Sequence, residues 1–246
     1  MSEGLLDSLI IPSWSAPANV HAIQTTRLGG VSLAPYDSLN LGSHVQDNPH
    51  HVARNRQLLN SIVPTEPVWL NQTHGVRVID AALSGCIEDA DASFTTNTNV
   101  VCVMMTADCL PVLLCDKAGT IVAAVHAGWR SLCVGVIEST INTMPVSASE
   151  LLAWLGPAIG PDVFEVDADV RAQFIKKDKQ AESAFKPVGD KWLGDLYAIA
   201  KQRLHALGVM NVYGETLCTY SNPAQFFSFR RDGETGRMAT MIWLTA

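Results

Sequence analysis

The sequence predicts an α+β fold in which a mixed β-sheet is covered by helices on its outer faces. Two observations lead to this prediction. Strand-like apolar runs alternate with helical stretches over only part of the chain, and several runs are separated by short turns typical of hairpins. Of the 246 residues, 48% are apolar and 17% are charged, which is enough for a large core. A mixed sheet in one domain is therefore favoured over a doubly wound parallel sheet.

Short strands predominate in the first half of the chain. Residues 1–19 contain two prolines and are expected to form an irregular lead-in to a single domain that comprises the whole chain. Helical spacing predicts one helix at 51–61, with Pro49 shortly before its start. Apolar and β-branched runs predict strands at 20–27, 68–70, 76–81 and 99–105.

The second half adds further strands and most of the helices. Residues 162–207 are expected to be mostly helical, and 226–244 to have strand-like ends around a polar turn at 230–237. The predicted strands are 111–115, 120–125 and 151–155, and the predicted helices are 126–142, 168–177 and 193–207.

Charge and composition exclude several classes of protein. A net charge of −7 argues against binding to nucleic acid or to a membrane surface through bulk electrostatics. The sequence contains no basic segment followed by an apolar stretch at its start, and no apolar run of the roughly 20 residues that span a bilayer. We therefore expect a cytoplasmic protein, and a monomer by default.

The six cysteines are too sparse for a disulfide scaffold, and none forms a CxxC pair. Cys86, Cys102, Cys115 and Cys133 lie among small or apolar residues and are expected to be buried.

Three residues that can bind a metal follow apolar strands. His74 lies in the loop after Trp69-Leu70, Cys109 follows the run at 99–105, and His126 follows the run at 120–125. Strand ends that meet at one edge of a sheet converge in space, so these side chains are candidates for a single site. Two imidazoles and a thiolate suit zinc, and copper nearly as well, and three protein ligands leave a fourth position open for catalysis.

Other interpretations of the same residues remain open. A histidine after a strand is often a surface residue, and a cysteine after an apolar run is often part of the core. Cys109 and His126 could also form a nucleophile–base pair in a metal-free cysteine hydrolase. A nonenzymatic module that binds a metal or a nucleoside is a third alternative.

Sequence blocks around the three residues resemble one widespread family. Leu-Asn-Gln-Thr-His-Gly at 70–75, Thr-Ala-Asp-Cys-Leu-Pro-Val-Leu-Leu at 106–114 and Val-His-Ala-Gly-Trp-Arg at 125–130 are similar to the signature blocks of the YfiH-like or laccase-domain proteins. Ser131 and Phe229 depart from the family pattern, which usually has glycine and tyrosine there. Further similar blocks lie at 26–32, 38–42, 155–160, 164–166, 218–219, 226–233 and 235–237.

The resemblance implies both a fold and an activity. It implies a layered α/β/β/α sandwich, with zinc held by His74, Cys109 and His126 and copper reported for some members. It also implies phosphorolysis of adenosine, inosine and methylthioadenosine with phosphate as co-substrate, and hydrolytic deamination of adenosine.

Such chemistry needs further polar groups near the metal. Asp108 or Asp91 could transfer a proton, although Asp108 could equally be a residue that caps backbone at a strand end. Asn40 could bond a ribose hydroxyl or simply form a turn. Trp129 or Phe227 could stack on a purine, but aromatic residues at such positions are more often part of the core.

A phosphate substrate also needs cations. Arg130 opens the helix after His126, Arg56 lies on the first long helix, and Arg230 lies in the late polar turn. An arginine can bind phosphate through a two-pronged pair of hydrogen bonds, but most surface arginines are merely solvated.

A true multicopper laccase is disfavoured. Such an enzyme needs one mononuclear copper and a trinuclear cluster, and the chain has only seven histidines, some of them in helix-like segments. One metal with two histidines and a cysteine is better suited to hydrolytic or Lewis-acid work.

Overall fold

The computed structural model describes residues 3–214 and 217–246. The helices are α1 Glu3–Leu6, α2 Pro49–Leu59, α3 Trp129–Val134, α4 Val136–Thr143, α5 Ala168–Lys177, α6 Leu196–Ala206 and α7 Phe229–Asp232. The strands are β1 Val20–Gln24, β2 Val78–Asp80, β3 Ala92–Thr95, β4 Cys102–Thr106, β5 Leu110–Asp116, β6 Val122–Ala127, β7 Leu151–Leu155, β8 Glu165–Val166, β9 Phe185–Val188, β10 Lys191–Gly194, β11 Asn211–Tyr213 and β12 Met238–Leu244.

Two sheets lie face to face at the centre of the molecule. The smaller sheet has the order β1-β12-β4 and is antiparallel. The larger has the order β11-β7-β5-β6-β3-β2 and is mixed, with parallel pairs at both edges and antiparallel pairs between them. A third small sheet, β8-β10-β9, lies outside this pair. The predicted α+β class with mixed sheets is confirmed.

Alternate residues of the central strands enter different hydrophobic cores. In β5, Leu113 and Cys115 pack between the two sheets, whereas Val112 and Leu114 face the layer of α3 to α6. On the far side of the smaller sheet, Met105 packs with residues of α2. Successive side chains of a strand point to opposite faces, so fully apolar strands mark sheets that are covered on both sides. The layers are therefore helix, sheet, sheet, helix.

Strand β7 and helix α5 have the predicted boundaries. The first long helix begins earlier than predicted, at Pro49, because the Asn48 side chain caps it by accepting a hydrogen bond from the His50 backbone N–H. The predicted strand at 68–70 is reduced to a single bridge between Val68 and Cys102. Strands β3, β8 and β11 were not predicted, and β1, β2, β4, β5 and β6 differ from their predicted limits by one to three residues at one or both ends.

Other predictions for helical regions were wrong. The helix expected at 126–142 starts only at Trp129 and is interrupted at Gly135, whose φ of 106° is left-handed. Residues 162–207 contain the hairpin β9-β10 and not helix alone. In the tail, the first of the two expected strand-like ends forms no strand, and α7 occupies the start of the expected polar turn.

The N-terminal segment and Cys86 also differ from expectation. Residues 1 and 2 lie outside the described residues, and the rest of the predicted irregular segment contains the helical turn α1. Cys102, Cys115 and Cys133 are buried as expected, but Cys86 is exposed because it lies in a surface loop after β2. Of the helices in the described ranges, none is both long and apolar enough to cross a membrane.

Candidate metal centre

His74, Cys109 and His126 come together at one edge of the sheet pair. Their potential ligand atoms all lie within 4.8 Å of one another. The Cys109 Sγ is 3.8 Å from the His74 Nε2, and the two imidazole rings meet edge to face with centroids 4.8 Å apart. His126 is buried, Cys109 is half-buried and His74 is exposed, so the cluster opens toward solvent on the His74 side.

Each of the three residues is delivered by a different segment. His126 lies within β6, opposite Pro111 of β5. Cys109 lies in the short link that takes the chain from β4 in the smaller sheet to β5 in the larger one. His74 lies in the loop before β2 with a φ of 60°, a conformation uncommon for residues other than glycine.

The side chain of Gln72 fixes the His74 loop to the end of β4. Its Nε2 donates to the Met105 carbonyl at 2.8 Å, and its Oε1 accepts from the Met105 backbone N–H at 2.8 Å. The amide therefore pairs with the strand as a backbone peptide would. The sequence carries no local signal for this role of Gln72, because its partner lies 33 positions away.

Asp91 lies directly behind the cluster and is fully buried. Its carboxylate accepts hydrogen bonds from the backbone N–H groups of Thr73, His74 and Gly75 at 2.6–3.1 Å, and from the Thr73 hydroxyl at 3.0 Å. It also lies 2.8 Å from the His126 Nδ1, which leaves the Nε2 of that ring for the cluster. A carboxylate with all its acceptor positions in use is better placed to orient ligands than to shuttle a proton.

Asp108 is likewise engaged by the protein. Its carboxylate accepts hydrogen bonds from the Thr219 hydroxyl at 2.6 Å, the Ser228 hydroxyl at 3.0 Å and the Arg230 backbone N–H at 2.7 Å. The residue has a φ of 94°, which turns the chain sharply just before Cys109. These hydrogen bonds favour a role for Asp108 in fixing the backbone at the strand end over a role in proton transfer.

Cys109 and His126 shift each other's pKa in the metal-free protein. Burial raises the pKa of the Cys109 thiol, but the charge of His126 and hydrogen bonds to both imidazoles outweigh it and bring the pKa to about 6. Burial lowers the pKa of His126, but the thiolate and the Asp91 carboxylate raise it to about 9. At neutral pH the metal-free pair is therefore a thiolate and an imidazolium.

The donor set fits zinc. Tetrahedral zinc has bonds of ~2.3 Å to sulfur and ~2.0–2.1 Å to nitrogen, so its ligand atoms lie ~3.3–3.6 Å apart. The 3.8 Å between Cys109 and His74 is ~0.2–0.5 Å longer than this, and the widest separation in the cluster, 4.8 Å, is ~1.2–1.5 Å longer, so the three side chains would close around a bound ion. The deprotonated thiol and the carboxylate–histidine pair are what such an ion requires of its ligands.

A cavity of about 440 Å³ opens onto the cluster. Arg130, Arg230 and Arg237 line it, together with His44, Gln72 and Trp129. Within residues 3–214 and 217–246, none of the three arginines forms an ion pair with a carboxylate. The cavity therefore carries excess positive charge in a protein whose net charge is negative.

Two predicted binding residues lie outside this cavity. The Asn40 side chain is fully buried, where it accepts from the Gly42 and Arg237 backbone N–H groups. The guanidinium of Arg56 stacks on Trp69 and its Nε donates to the Leu41 carbonyl. Neither lines the cavity, because both brace the loop that follows β1.

Some of the other predicted binding residues line the cavity and one does not. Arg130 and Arg230 line the cavity, and so does Trp129. Phe227 is fully buried in a small core cluster. His44 and Arg237, which sequence analysis did not propose, line the cavity from segments far apart in the chain.

Gly128 is required for the close approach of the donor segments. A Cβ at this position would lie 2.9 Å from the Cys109 Sγ and 3.0 Å from the His74 Cδ2. We expect Gly128→Ala to push these donors apart and lower zinc affinity by ~10–100-fold, measured by competition with a chromophoric chelator. Gly85→Ala is the matched control, since a Cβ there meets nothing within 4 Å. Equal zinc affinities in the two variants would contradict this geometry.

The thiolate of Cys109 is also directly testable. In chelator-treated protein, we expect its alkylation by iodoacetamide to rise with pH, to reach half of its maximum near pH 6 and to level off above, because only the thiolate reacts and its pKa is about 6. An ordinary thiol, with a pKa of ~8.5, would still gain reactivity above neutral pH. Mass spectrometry of the Cys109 peptide, in a Cys86→Ser background, gives the rate. A midpoint above about pH 8 would refute the thiolate assignment.

The fold and the cluster define a single-domain α/β/β/α sandwich with a three-donor site at one end of its paired sheets. The model of the multi-copper polyphenol oxidoreductase laccase family matches residues 21–245. The chain belongs to this family, which confirms the resemblance to YfiH-like proteins.

Curated relatives cover nearly the whole chain. The purine nucleoside phosphorylase YfiH of Escherichia coli K12 is 51% identical over 244 residues, which cover 97% of this chain and 100% of that protein. A purine nucleoside phosphorylase of Haemophilus influenzae is 50% identical, covering 95% of this chain and 98% of the relative.

Solved structures have the same fold. A crystal structure of a Neisseria meningitidis protein superposes with a TM-score of 0.96 at 51% identity, covering 97% of this chain and 100% of that one. The YfiH protein of Bacillus licheniformis gives a TM-score of 0.85 at 30% identity, over 92% of this chain and 93% of that one.

Proposed function

We propose that the chain is a zinc-dependent purine nucleoside phosphorylase, which also deaminates adenosine hydrolytically. One observation carries the proposal: a His–Cys–His donor cluster opens onto a 440 Å³ cavity lined by three arginines. The volume suits a nucleoside, and the arginines suit a phosphate. The names of the curated relatives support the same substrate class.

The reaction needs a site for each substrate. In phosphorolysis a phosphate oxygen forms a bond to C1′ of the ribose while the bond from C1′ to the purine nitrogen breaks. The electron pair of that bond leaves with the purine, which takes up a proton. Free base and ribose 1-phosphate are the products, or methylthioribose 1-phosphate when methylthioadenosine is the substrate.

Side chains around the cavity can be assigned roles in the proposed reaction. His74, Cys109 and His126 would hold zinc, with copper as the alternative ion. Bound zinc supplies Lewis-acid activation of water or of a substrate atom. Arg130, Arg230 and Arg237 would neutralise the phosphate, and Trp129 offers an aromatic surface to the purine. For deamination, a water oxygen would instead form a bond to C6 of the purine while the bond from C6 to the amino nitrogen breaks, and that nitrogen would leave as ammonia.

A metal-free cysteine hydrolase is a second candidate, favoured by one observation. The lowered pKa of Cys109 and the raised pKa of His126 are those of an ion-paired nucleophile and base. This candidate differs from the first in its metal requirement. It predicts full hydrolytic activity after zinc is removed and inactivation by alkylation of Cys109.

Adenosine turnover with and without phosphate tests the proposal. Zinc-loaded protein is expected to give adenine and ribose 1-phosphate when phosphate is present, and inosine when it is absent. Chromatography of the products separates these outcomes, and chelator-treated protein is the control. Loss of both activities on chelation, with recovery on adding zinc, supports the zinc enzyme. If zinc-loaded protein turns over no purine nucleoside, the proposal fails.

A further inference from the structure

Arg237 lies directly before β12, at the junction of two cavities. It lines the 440 Å³ metal cavity and also an adjoining, more open cavity of about 320 Å³. His44 and Phe229 line both cavities as well. We call the adjoining space the outer lobe. A group bound at Arg237 can therefore reach solvent through the outer lobe while a nucleoside occupies the space at the metal.

The backbone and stem of Arg237 are tightly fixed. Its N–H donates to the Asn40 Oδ1 at 2.9 Å, and its carbonyl accepts from the Leu41 N–H at 3.1 Å. A Cβ on Gly42 would lie 2.8 Å from the Arg237 Cγ, so only glycine leaves room for the stem. The loop at 40–42 thus holds this arginine in place, which accounts for the burial of Asn40.

The guanidinium is only partly satisfied by the protein. Its Nη1 donates to the carbonyls of Thr235 and Gly236 at 2.9 and 3.0 Å. In the described part of the chain its Nε and Nη2 make no hydrogen bond, and it has no carboxylate partner. The neighbouring Arg231, by contrast, donates to three carbonyls and pairs with Asp232.

Holding a half-buried guanidinium in place without an anionic partner costs desolvation free energy, and a bound anion would offset that cost. The open edge of Arg237, formed by Nε and Nη2, has the spacing of a two-pronged contact to a phosphate. Lysine would offer only a point charge at this place. The site therefore favours a tetrahedral oxyanion over a neutral ligand.

We propose that Arg237, with His44 beside it, binds the phosphate co-substrate at the junction of the two cavities. This inference rests on the proposed phosphorylase function. Arg130 and Arg230 are exposed and line only the metal cavity, so they assist there, whereas Arg237 is the anchor of the anion. Phosphate enters through the outer lobe and meets the nucleoside from that side.

Kinetics of Arg237→Met and Arg237→Lys test the assignment. We expect the KM for phosphate to rise by about 10²-fold in Arg237→Met and by less in Arg237→Lys, since a fork of charge-assisted hydrogen bonds is lost in the first and partly replaced in the second. The KM for the nucleoside should change little. Arg54→Met, on the exposed face of α2, is the matched control. A wild-type KM for phosphate in Arg237→Met would overturn the proposal.

A measurement on the wild-type protein removes any dependence on folding of the variants. Phenylglyoxal modifies accessible arginines, and peptide mass spectrometry reports Arg237 separately from Arg231. We expect inorganic phosphate to protect Arg237 and leave the labelling of Arg231 unchanged. Protection by adenosine 5′-monophosphate but not by inorganic phosphate would assign the site to a phosphate ester and overturn the co-substrate role.

The two experiments separate failure of this inference from failure of the proposed function. If the wild-type protein performs no phosphorolysis, the proposed function fails, and with it the co-substrate role of Arg237. If it performs phosphorolysis but phosphate does not protect Arg237, only the present inference fails.

Discussion

Replacement of Cys109 by alanine is expected to abolish stoichiometric zinc binding and to lower kcat/KM for nucleoside phosphorolysis by ~10³-fold or more. The thiolate is the one anionic donor of the cluster, and two imidazoles alone hold zinc weakly. Loss of several kcal/mol of Lewis-acid stabilisation corresponds to a rate decrease of that order. Metal content by plasma mass spectrometry and initial rates at saturating phosphate give the two quantities.

His74→Ala and Cys86→Ala complete this experiment. His74 is exposed and lies outside the core, so its loss should remove zinc but change the thermal unfolding of the chelator-treated protein little. Cys86 is also exposed and lies outside the cluster, so Cys86→Ala should keep one zinc per chain and full activity. A Cys109→Ala protein that is free of metal and still fully active would disprove the zinc enzyme. A cysteine hydrolase would instead keep its activity in His74→Ala without zinc.

Replacement of Asp91 by alanine is expected to destabilise the protein by about 3–5 kcal/mol, because the buried carboxylate satisfies three backbone N–H groups, one hydroxyl and the His126 ring. Zinc affinity should fall by ~10–100-fold at the same time, since His126 and the His74 loop lose their orientation. Urea unfolding of chelator-treated protein measures the first effect and zinc titration the second. Asp89→Ala, two residues earlier and exposed, is the control.

The pH dependence of this effect has a definite sign. Burial raises the pKa of Asp91, but hydrogen bonds from His126 and Gly75 outweigh it and hold the pKa below its ordinary value of 3.8. A lowered folded-state pKa means that the stabilisation is complete above the ordinary value and is lost as the pH falls through the folded one. The stability difference between wild type and Asp91→Asn should therefore be largest near neutral pH and shrink below about pH 4. A difference that grows on acidification would contradict the assignment.

The clustering of the three candidate metal donors could be predicted because its signal is local. His74, Cys109 and His126 each follow an apolar run, and strand ends at one edge of a sheet converge. The layered order follows from strands such as β5 that are apolar on both faces. The sequence blocks around these residues add the family, and with it the proposed substrate class.

The supporting residues could not be predicted in the same way. Gln72 acts through Met105, and Asp91 acts through residues 73–75 and His126, contacts that only the folded chain brings about. Asn40 resembled a polar loop residue, yet it is fully buried beneath Arg237. The hairpin β9-β10 is a different case, because its sequence carries a local signal: Pro187 disfavours a helix, and Gly189-Asp190 forms the two-residue turn.

The position of Cys109 between β4 and β5 places the candidate metal centre at the junction of the two sheets. The donor lies where the chain passes from one sheet to the other, while Gln72 ties the His74 loop to the smaller sheet and His126 belongs to the larger. An ion held by all three would act as a clasp across the interface between the sheets. Changes in the packing of that interface, even at residues such as Met104 that never touch the ion, would alter the span of the donors. The metal affinity would therefore report on the packing between the two sheets.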